Sequence, residues 1–211
     1  MHGLSPEEVK RLAAEAGFDI CGIAPVAAFP ELNFLAEWIE RGYHGEMHYL
    51  ARNADRRADV RTVVPTARCV IMLGTVYNTP RPYSMAAAQR DKAGIARYAW
   101  GDDYHPVIEA RMQRLIDDLR GLAGEFEHRA YVDTGPVQER VYAKYAGLGW
   151  IGKNTCLINP EQGSYFFLAG IATSLALEPD APGVDHWLYH LRPNACVRTV
   201  ARGRELWRAG S

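Results

Sequence analysis

Apolar and polar positions along the chain recur with the periods of both helices and strands. Near its start, Ser5-Pro6-Glu7-Glu8 has the residues of a helix start: a serine N-cap, a proline in the first helical position and a glutamate placed for a capping box. Apolar residues then recur at helical spacing up to Gly17, which is expected to end the helix. Residues 18–24 have the apolar character of a short strand.

The rest of the chain predicts further elements in mixed order. Helices are expected over residues 30–41, 103–121 and 137–146, and the last of these is expected to end at Gly147. On the helix over 103–121, the predicted buried face consists of Val107, Met112, Leu115, Ile116 and Leu119. Strands are expected over residues 68–77, 95–100, 128–133 and 163–175. Because helices and strands mix and no linker divides the chain before residue 178, we expect one α/β (α+β) domain.

Composition and charge narrow the class of protein only slightly. Of 211 residues, 48% are hydrophobic and 23% are charged, and the formal net charge is −1. This balance is ordinary for a globular protein, and a local basic patch could still bind RNA. No apolar run is long enough to span a membrane, and the N-terminus lacks the apolar core of a secretory signal. We therefore expect a cytoplasmic protein.

The cysteines at positions 21, 69, 156 and 196 are scattered along the chain. Their spacing favours neither a disulfide framework nor a metal site. Cys21 and Cys69 fall in apolar, strand-like runs, where buried free thiols are expected.

The first candidate site is the segment from Tyr131 to Phe167. Asp133 follows a predicted strand, and the carboxyl end of a strand is a usual ligand position in sheet proteins. Three glycines within residues 147–152 would let the backbone approach a large ligand and offer free N–H donors. The alternative is that Asp133 caps the next helix and the glycines only form a turn. The pattern is neither a Walker A loop nor a dinucleotide fingerprint.

The second candidate site is the segment over residues 96–108, just before and within a predicted helix. Four of its residues carry aromatic or imidazole rings: Tyr98, Trp100, Tyr104 and His105. Such rings can form the wall of a pocket for a flat ligand. The alternative is a surface aromatic cluster in which His105 pairs with Asp102 or Asp103.

The third candidate site is the arginine-rich segment over residues 51–68. Its first arginines are Arg52, Arg56, Arg57 and Arg61. They predict either a solvated charged face or contacts with phosphate, in RNA or in the nucleotide-like tail of a cofactor.

Together, these segments resemble the epoxyqueuosine reductases, relatives of the corrinoid reductive dehalogenases. The matching blocks are residues 42–71, 97–108 and 132–171, so the resemblance spans roughly residues 5–180 in the right order. It implies a nitroreductase-like core, with a mixed sheet flanked by helices, that binds base-off cobalamin. It also implies reduction of epoxyqueuosine to queuosine at the wobble position of tRNA.

The resemblance assigns roles to individual residues. Asp133 matches an acid proposed to protonate the oxygen as it leaves, which helps to break the C–O bonds of an epoxide. Arg140 matches a position near the substrate, and Arg56 matches a basic residue that contacts the cofactor. The remaining cofactor-lining matches are Arg97, Tyr98, Tyr104, His105, Lys153, Asn154, Thr155, Leu157, Ile158, Gly163, Ser164 and Leu168. No histidine is required as a cobalt ligand, and Cys156 is interpreted as a packing residue.

The resemblance stops after Leu177. The family continues with a ferredoxin-like cysteine run that ligates two 4Fe–4S clusters. Here residues 185–199 begin with Asp185-His186, as in the family, but Cys196 is their only cysteine. Trp187 stands at the first ligand position, so no cluster is expected. We therefore predict a cobalamin-binding core over residues 1–180 and a divergent or truncated tail over 181–211. A reading-frame error or truncated gene would explain the change, and a genuine short homologue is the alternative.

The resemblance thus implies an oxidoreductase of the epoxyqueuosine reductase type that binds the tRNA anticodon loop, and we expect a monomer. Because most cluster ligands are absent, turnover is expected to be impaired and to depend on an external electron donor. Two alternatives stay open: a non-catalytic corrinoid-binding module, and a flavin-dependent protein with the nitroreductase-like fold.

Overall fold

The computed structural model of the chain describes residues 4–83 and 93–183, and the predicted tail from residue 184 onward lies outside them. The centre is a sheet of four strands: β1 (Ile20–Pro25), β2 (Cys69–Val76), β3 (His128–Tyr131) and β6 (Phe166–Thr173). Their order across the sheet is β1-β2-β6-β3, and each neighbouring pair is antiparallel. The expectation of a mixed sheet is therefore wrong for the described strands, because β6 lies between β2 and β3 and is antiparallel to both.

Helices cover both faces of this sheet. The longer helices are α1 (Pro6–Glu15) and α5 (Tyr104–Ala123). The shorter helices are α2 (Phe34–Glu40), α3 (His48–Arg52), α4 (Ala54–Ala58) and α6 (Glu139–Tyr145). Helices α1 and α5 pack on one face of the sheet, and α6 packs on the other. None of the described helices is long and apolar enough to cross a bilayer.

Strand β2 shows why the sheet is covered on both sides. Cys69, Ile71 and Leu73 belong to the core under α1 and α5, whereas Val70 and Met72 belong to the core under α6. Alternate residues of a strand point to opposite faces, so a central strand with two covered faces is apolar throughout. The predicted strand over 68–77 is confirmed by this burial.

Two helices follow the sequence signals closely. In α1 the Ser5 hydroxyl accepts the Glu8 amide at 3.2 Å and the Glu8 carboxylate accepts the Ser5 amide at 3.0 Å, which confirms the capping box. Gly17, with a φ of 98°, ends this segment. In α5 the predicted face is confirmed except at Val107, which is 42% exposed, and Ile108 is buried instead. Ile108 lies four residues before Met112 and so shares its face of the helix.

Two predicted elements differ from the structure. The expected helix over 30–41 is divided into a 3-10 turn at Pro30–Asn33 and the short α2, in which no residue is buried. The expected strand over 95–100 is wrong, because Arg97–Ala99 form a 3-10 turn. The Trp100 indole N–H donates to the Ile95 carbonyl at 2.8 Å, so the apolar residues of this segment close a turn instead of joining the sheet.

After α6 the chain forms a short hairpin. Gly147, with a φ of 76°, follows the helix as predicted, and β4 (Trp150–Ile151) pairs with β5 (Leu157–Ile158). A Cβ atom on Gly149 would lie 2.1 Å from the Ile158 carbonyl oxygen. The glycines of this segment thus allow two backbone segments to approach closely.

The cysteines among the described residues are free thiols, as expected. Cys69 is buried, while Cys21 and Cys156 are half-buried. Burial raises the pKa of Cys21 to about 12 and that of Cys69 to about 11, so both stay protonated as packing residues.

Candidate functional site

Asp133 is exposed on the loop between β3 and α6, and its backbone has a φ of 56°. Its carboxylate accepts a hydrogen bond from the Tyr104 hydroxyl at 3.0 Å. Its backbone N–H donates to the Glu139 carboxylate at 2.8 Å. Helix α6 begins after Gln138 without a side-chain cap, so the alternative in which Asp133 caps this helix is excluded.

Tyr104 is held in place by the rings on either side of it. Its ring stacks on Phe167 of β6, with centroids 4.0 Å apart, and on His105, with centroids 4.1 Å apart. Burial, and then the hydrogen bond to Asp133, raise the pKa of Tyr104 to about 12. The hydroxyl therefore stays protonated and acts as a donor to Asp133 at neutral pH.

His105 turns away from Asp133 and towards the start of α5. Its Nδ1 lies 2.8 Å from the Asp103 carboxylate, which also accepts the His105 backbone N–H at 3.0 Å. These two bonds hold the pKa of Asp103 below its usual value. Of the two predicted acidic partners, the structure selects Asp103. The other ring nitrogen, Nε2, is buried without a hydrogen-bond partner.

Glu139, the first residue of α6, was missed by the sequence analysis. It is half-buried, and burial raises the pKa of its carboxyl to about 7, helped by the charge of Asp133 and opposed by its hydrogen bond from the Asp133 amide. The charges of Arg57 and Arg140 also oppose this rise. The only signal in the sequence was a glutamate at a predicted helix start, a position that acidic residues commonly occupy on the surface.

Arg140 follows Glu139 and reaches a different loop. Its guanidinium donates to the carbonyl of Thr155 at 3.2 Å, in the turn between β4 and β5. Thr155 has a φ of 62°, and Asp133 and Thr155 are the non-glycine residues with positive φ within residues 4–83 and 93–183. Two consecutive residues of α6 thus hold two loops whose backbones adopt a disfavoured conformation.

A cavity of about 370 Å³ opens beside the stacked rings. Its lining residues are Tyr77, Thr79, Arg81, Arg97, Tyr98, Trp100, Gly101, Asp102 and Phe167. Phe167 belongs to both the cavity wall and the Tyr104 stack, so the cavity and Asp133 are parts of one region. Of the four predicted rings, Tyr98 and Trp100 line this cavity, whereas Tyr104 and His105 lie on the first turn of α5 and are not among its lining residues.

Arg97 organises one side of this cavity. Its guanidinium lies 4.2 Å from the centroid of the Tyr83 ring and 5.2 Å from that of Trp100. It also donates to the carbonyls of Thr79 at 2.8 Å and Arg81 at 2.7 Å, while its Nε is buried without a partner. Arg97 thus connects the segment after β2 to the segment before α5.

The other predicted site residues differ in their exposure to solvent. Lys153, Asn154 and Thr155 are exposed on the hairpin turn, whereas Leu157 packs in the core under α6 and Ile158 is half-buried. Gly163 is buried and Ser164 is half-buried, both just before β6, whereas Leu168 is half-buried within β6.

The arginine-rich segment is divided between surface and site. Arg56 is exposed on α4, and Arg61 pairs with Asp59 at 2.7 Å as a surface ion pair. Arg57 is half-buried, with an unpartnered Nε and a charge that acts on Glu139. The charge of Arg57 therefore acts on Glu139, which bonds the Asp133 loop, whereas Arg56 lies on the surface.

The chain is similar to known proteins in sequence and in fold. The family model "Epoxyqueuosine reductase QueG, DUF1730" matches residues 57–134. An epoxyqueuosine reductase from Leadbetterella byssophila is 39% identical over 181 residues, which are 85% of this chain and 58% of that protein. The chain spans about half the length of the curated relatives it matches.

Solved structures of epoxyqueuosine reductases are also similar to this chain. An epoxyqueuosine reductase crystallised with an epoxyqueuosine-modified stem loop of tyrosine tRNA is 27% identical, with a TM-score of 0.72 over 86% of this chain and 48% of that one. The Bacillus subtilis epoxyqueuosine reductase, solved with a catalytic aspartate loop swung out of its active site, is 26% identical, with a TM-score of 0.70 over the same shares. By sequence and by fold, this chain is therefore related to the epoxyqueuosine reductases.

Proposed function

We propose that this chain forms the site at which cobalamin-dependent reduction of epoxyqueuosine in tRNA takes place. The observation that carries the proposal is the exposed Asp133 carboxylate, oriented by Tyr104 next to a cavity with aromatic and basic walls. The relatives support it, because one was crystallised with an epoxyqueuosine-modified tRNA stem loop.

The residues around the cavity fit a large flat cofactor with a polar rim. Tyr98 is 58% exposed and Trp100 is 36% exposed, so both offer ring surface for packing. Arg97 Nε is a buried donor without a partner, and His105 Nε2 is a buried acceptor without one when Nδ1 donates to Asp103. A buried polar atom without a partner costs free energy. The amide groups around a corrin ring would supply both acceptors and donors.

Cobalamin would accordingly be held by side chains and by backbone. The proposed side-chain contacts are Arg56, Arg97, Tyr98, Tyr104 and His105, and the proposed backbone contacts are residues 153–158 and 163–168. When bound, cobalamin supplies a low-valent cobalt centre for the reductive removal of the epoxide oxygen. The nitroreductase-like character of the core is part of the same proposal.

In this proposal, Asp133 delivers a proton to the oxygen as its bond to carbon breaks. Tyr104 orients the carboxylate and does not itself give up its proton, because its pKa is about 12. The Bacillus subtilis relative has a catalytic aspartate on a loop that can leave its active site, and Asp133 also lies on a loop.

Arg140 and the exposed Arg52 are proposed to contact the phosphates of the anticodon loop. We propose that electrons reach the site from an external donor. The expected loss of cluster ligands concerns residues that lie outside the described part of the chain. A monomeric state and a cytoplasmic location stay predictions.

The proposal is tested by loading the purified chain with cobalamin, reducing it with titanium(III) citrate and adding an epoxyqueuosine-containing tRNA stem loop. A corrinoid spectrum with conversion to queuosine, lost in D133A, is the expected result. Corrinoid binding without conversion would instead support the non-catalytic binding module. A flavin spectrum in the protein as purified would favour the nitroreductase-like alternative.

A further inference from the structure

The backbone of Asp133 is held in an uncommon conformation. A positive φ is disfavoured for residues with a side chain and persists where the surrounding structure imposes it. Asp133 has a φ of 56°, and the contact made by its N–H is the Glu139 carboxylate at 2.8 Å. The next residue, Thr134, bonds back to the Val132 carbonyl, so the loop reverses direction tightly at this point.

We propose that Glu139 is a positioning residue, whose carboxylate holds the Asp133 loop in the conformation that brings the Asp133 carboxylate to Tyr104. The proposal rests on the proposed role of Asp133 as proton donor. It goes further by stating what keeps that donor in place. Glu139 contacts Asp133 through the main chain, so it leaves the Asp133 carboxylate available for Tyr104 and for substrate.

Glu139 is suited to this task by its place in the fold. It is the first residue of α6, and α6 packs against β1, β2 and β6, so the carboxylate is anchored on a fixed element while Asp133 is exposed. An ionised acceptor makes a stronger hydrogen bond to a backbone N–H than a neutral one does. The Glu139 bond therefore connects the main chain of Asp133 to a fixed helix.

The charged and titratable groups that face Glu139 come from four elements. Asp133 on the loop disfavours an ionised Glu139, whereas Arg57 of α4 and Arg140 of α6 favour it. Tyr104 of α5 also feels the charge of Glu139. Burial raises the pKa of Glu139 to about 7, so the strength of this hold changes within the neutral pH range. Below that pKa, a protonated Glu139 accepts the Asp133 N–H only as a neutral group.

The hold on the loop can be measured without substrate or cofactor, by amide hydrogen exchange of the full chain. In E139A, exchange of the Asp133 amide should become at least about tenfold faster, since a hydrogen bond to a charged group is worth about 1.5–3 kcal/mol. E139Q keeps an acceptor of the same length and should retain most of the protection. The control is E8A, because Glu8 also accepts a backbone N–H, that of Ser5 at 3.0 Å, in α1. E8A should leave the Asp133 amide unchanged.

The catalytic consequence is measured on the cobalamin-loaded chain with the tRNA stem loop. E139A should lower kcat by about tenfold with little change in KM, and E139Q should restore most of the loss. Unchanged Asp133 exchange in E139A would overturn the proposal. Faster exchange with unchanged kcat would overturn the link to catalysis. If the parent chain shows no turnover, the proposed function fails, while the exchange experiment still decides whether Glu139 holds the loop.

Discussion

The hydroxyl of Tyr104 donates to the carboxylate of Asp133 at 3.0 Å, and this bond connects the first turn of α5 to the loop after β3. The Tyr104 ring is stacked on Phe167, which fixes the direction of the hydroxyl. The Asp133 carboxylate is therefore oriented by a residue of a packed helix, although Asp133 itself is exposed. A side chain that is both oriented and accessible is what a proton donor to a large substrate requires.

Replacing Tyr104 with phenylalanine tests this orientation. Y104F removes the donor and keeps the ring on Phe167, so the wall of the cavity stays intact. We expect kcat for epoxyqueuosine reduction to fall by about tenfold, from the loss of a hydrogen bond to a charged group. KM for the tRNA stem loop and the visible spectrum of the bound corrinoid should not change.

The matched control for this variant is Y145F. The Tyr145 hydroxyl donates to the Glu31 carboxylate at 3.1 Å, so Y145F removes the same type of bond away from Asp133. An equal loss of kcat in Y104F and Y145F would assign the effect to general stability and remove Tyr104 from the site.

Glu139 should make the stability of the protein depend on pH. The pKa of its carboxyl is about 7 in the fold against an ordinary value of 4.5, so the folded state holds the proton more tightly than the unfolded chain does. The contribution of Glu139 to the free energy of unfolding is therefore present at low pH and is lost as the pH rises from about 4.5 to about 7. E139Q cannot ionise, so it should lack this decline and exceed the parent at pH 8 by about 1–3 kcal/mol.

Urea denaturation at pH 5, 6, 7 and 8 measures this difference. The control is E8Q, because Glu8 makes a similar bond to a backbone N–H but is exposed. E8Q should keep the pH dependence of the parent. If E139Q keeps it as well, Glu139 is not the group that titrates.

The fold could be predicted from the sequence where the signals were local. Ser5 and Glu8 lie three positions apart, and the capping box they form depends on nothing beyond its own turn. The apolar run of β2 also identified a strand covered on both faces. The segment around Ile95 was mispredicted because its apolar residues resemble those of a strand, whereas backbone hydrogen bonds from Ala99 and Trp100 and the indole bond to the Ile95 carbonyl close it into a turn.

The candidate site was less predictable because its contacts join distant parts of the chain. Asp133 was identified by its place after a strand, but its bond to Tyr104 spans 29 positions and no local pattern encodes it. Glu139 was missed for a related reason. Its raised pKa comes from burial by the surrounding elements, and a glutamate at a helix start gives no indication of that burial.

Arg140 is expected to contribute to RNA binding through its charge. R140A should weaken binding of the tRNA stem loop, and the slope of log K against log salt should fall by about one, as expected for the loss of one phosphate contact. The control is R11A, because Arg11 pairs with Glu15 on the surface of α1. An unchanged salt slope in R140A would limit Arg140 to its bond with the Thr155 carbonyl.

Gly149 should be essential for the hairpin that carries the proposed backbone contacts to cobalamin. In G149A the new Cβ would lie 2.1 Å from the Ile158 carbonyl oxygen, so β4 and β5 would have to separate. We expect the free energy of unfolding to fall by about 1–3 kcal/mol, the usual cost of overpacking. The control is G121A in α5, where a Cβ meets nothing within 4 Å and alanine, a better helix former, should add up to about 1 kcal/mol. Urea denaturation of the parent and both variants measures these changes in the free energy of unfolding. If G149A is as stable as G121A, close approach of the two strands does not require a glycine at this position.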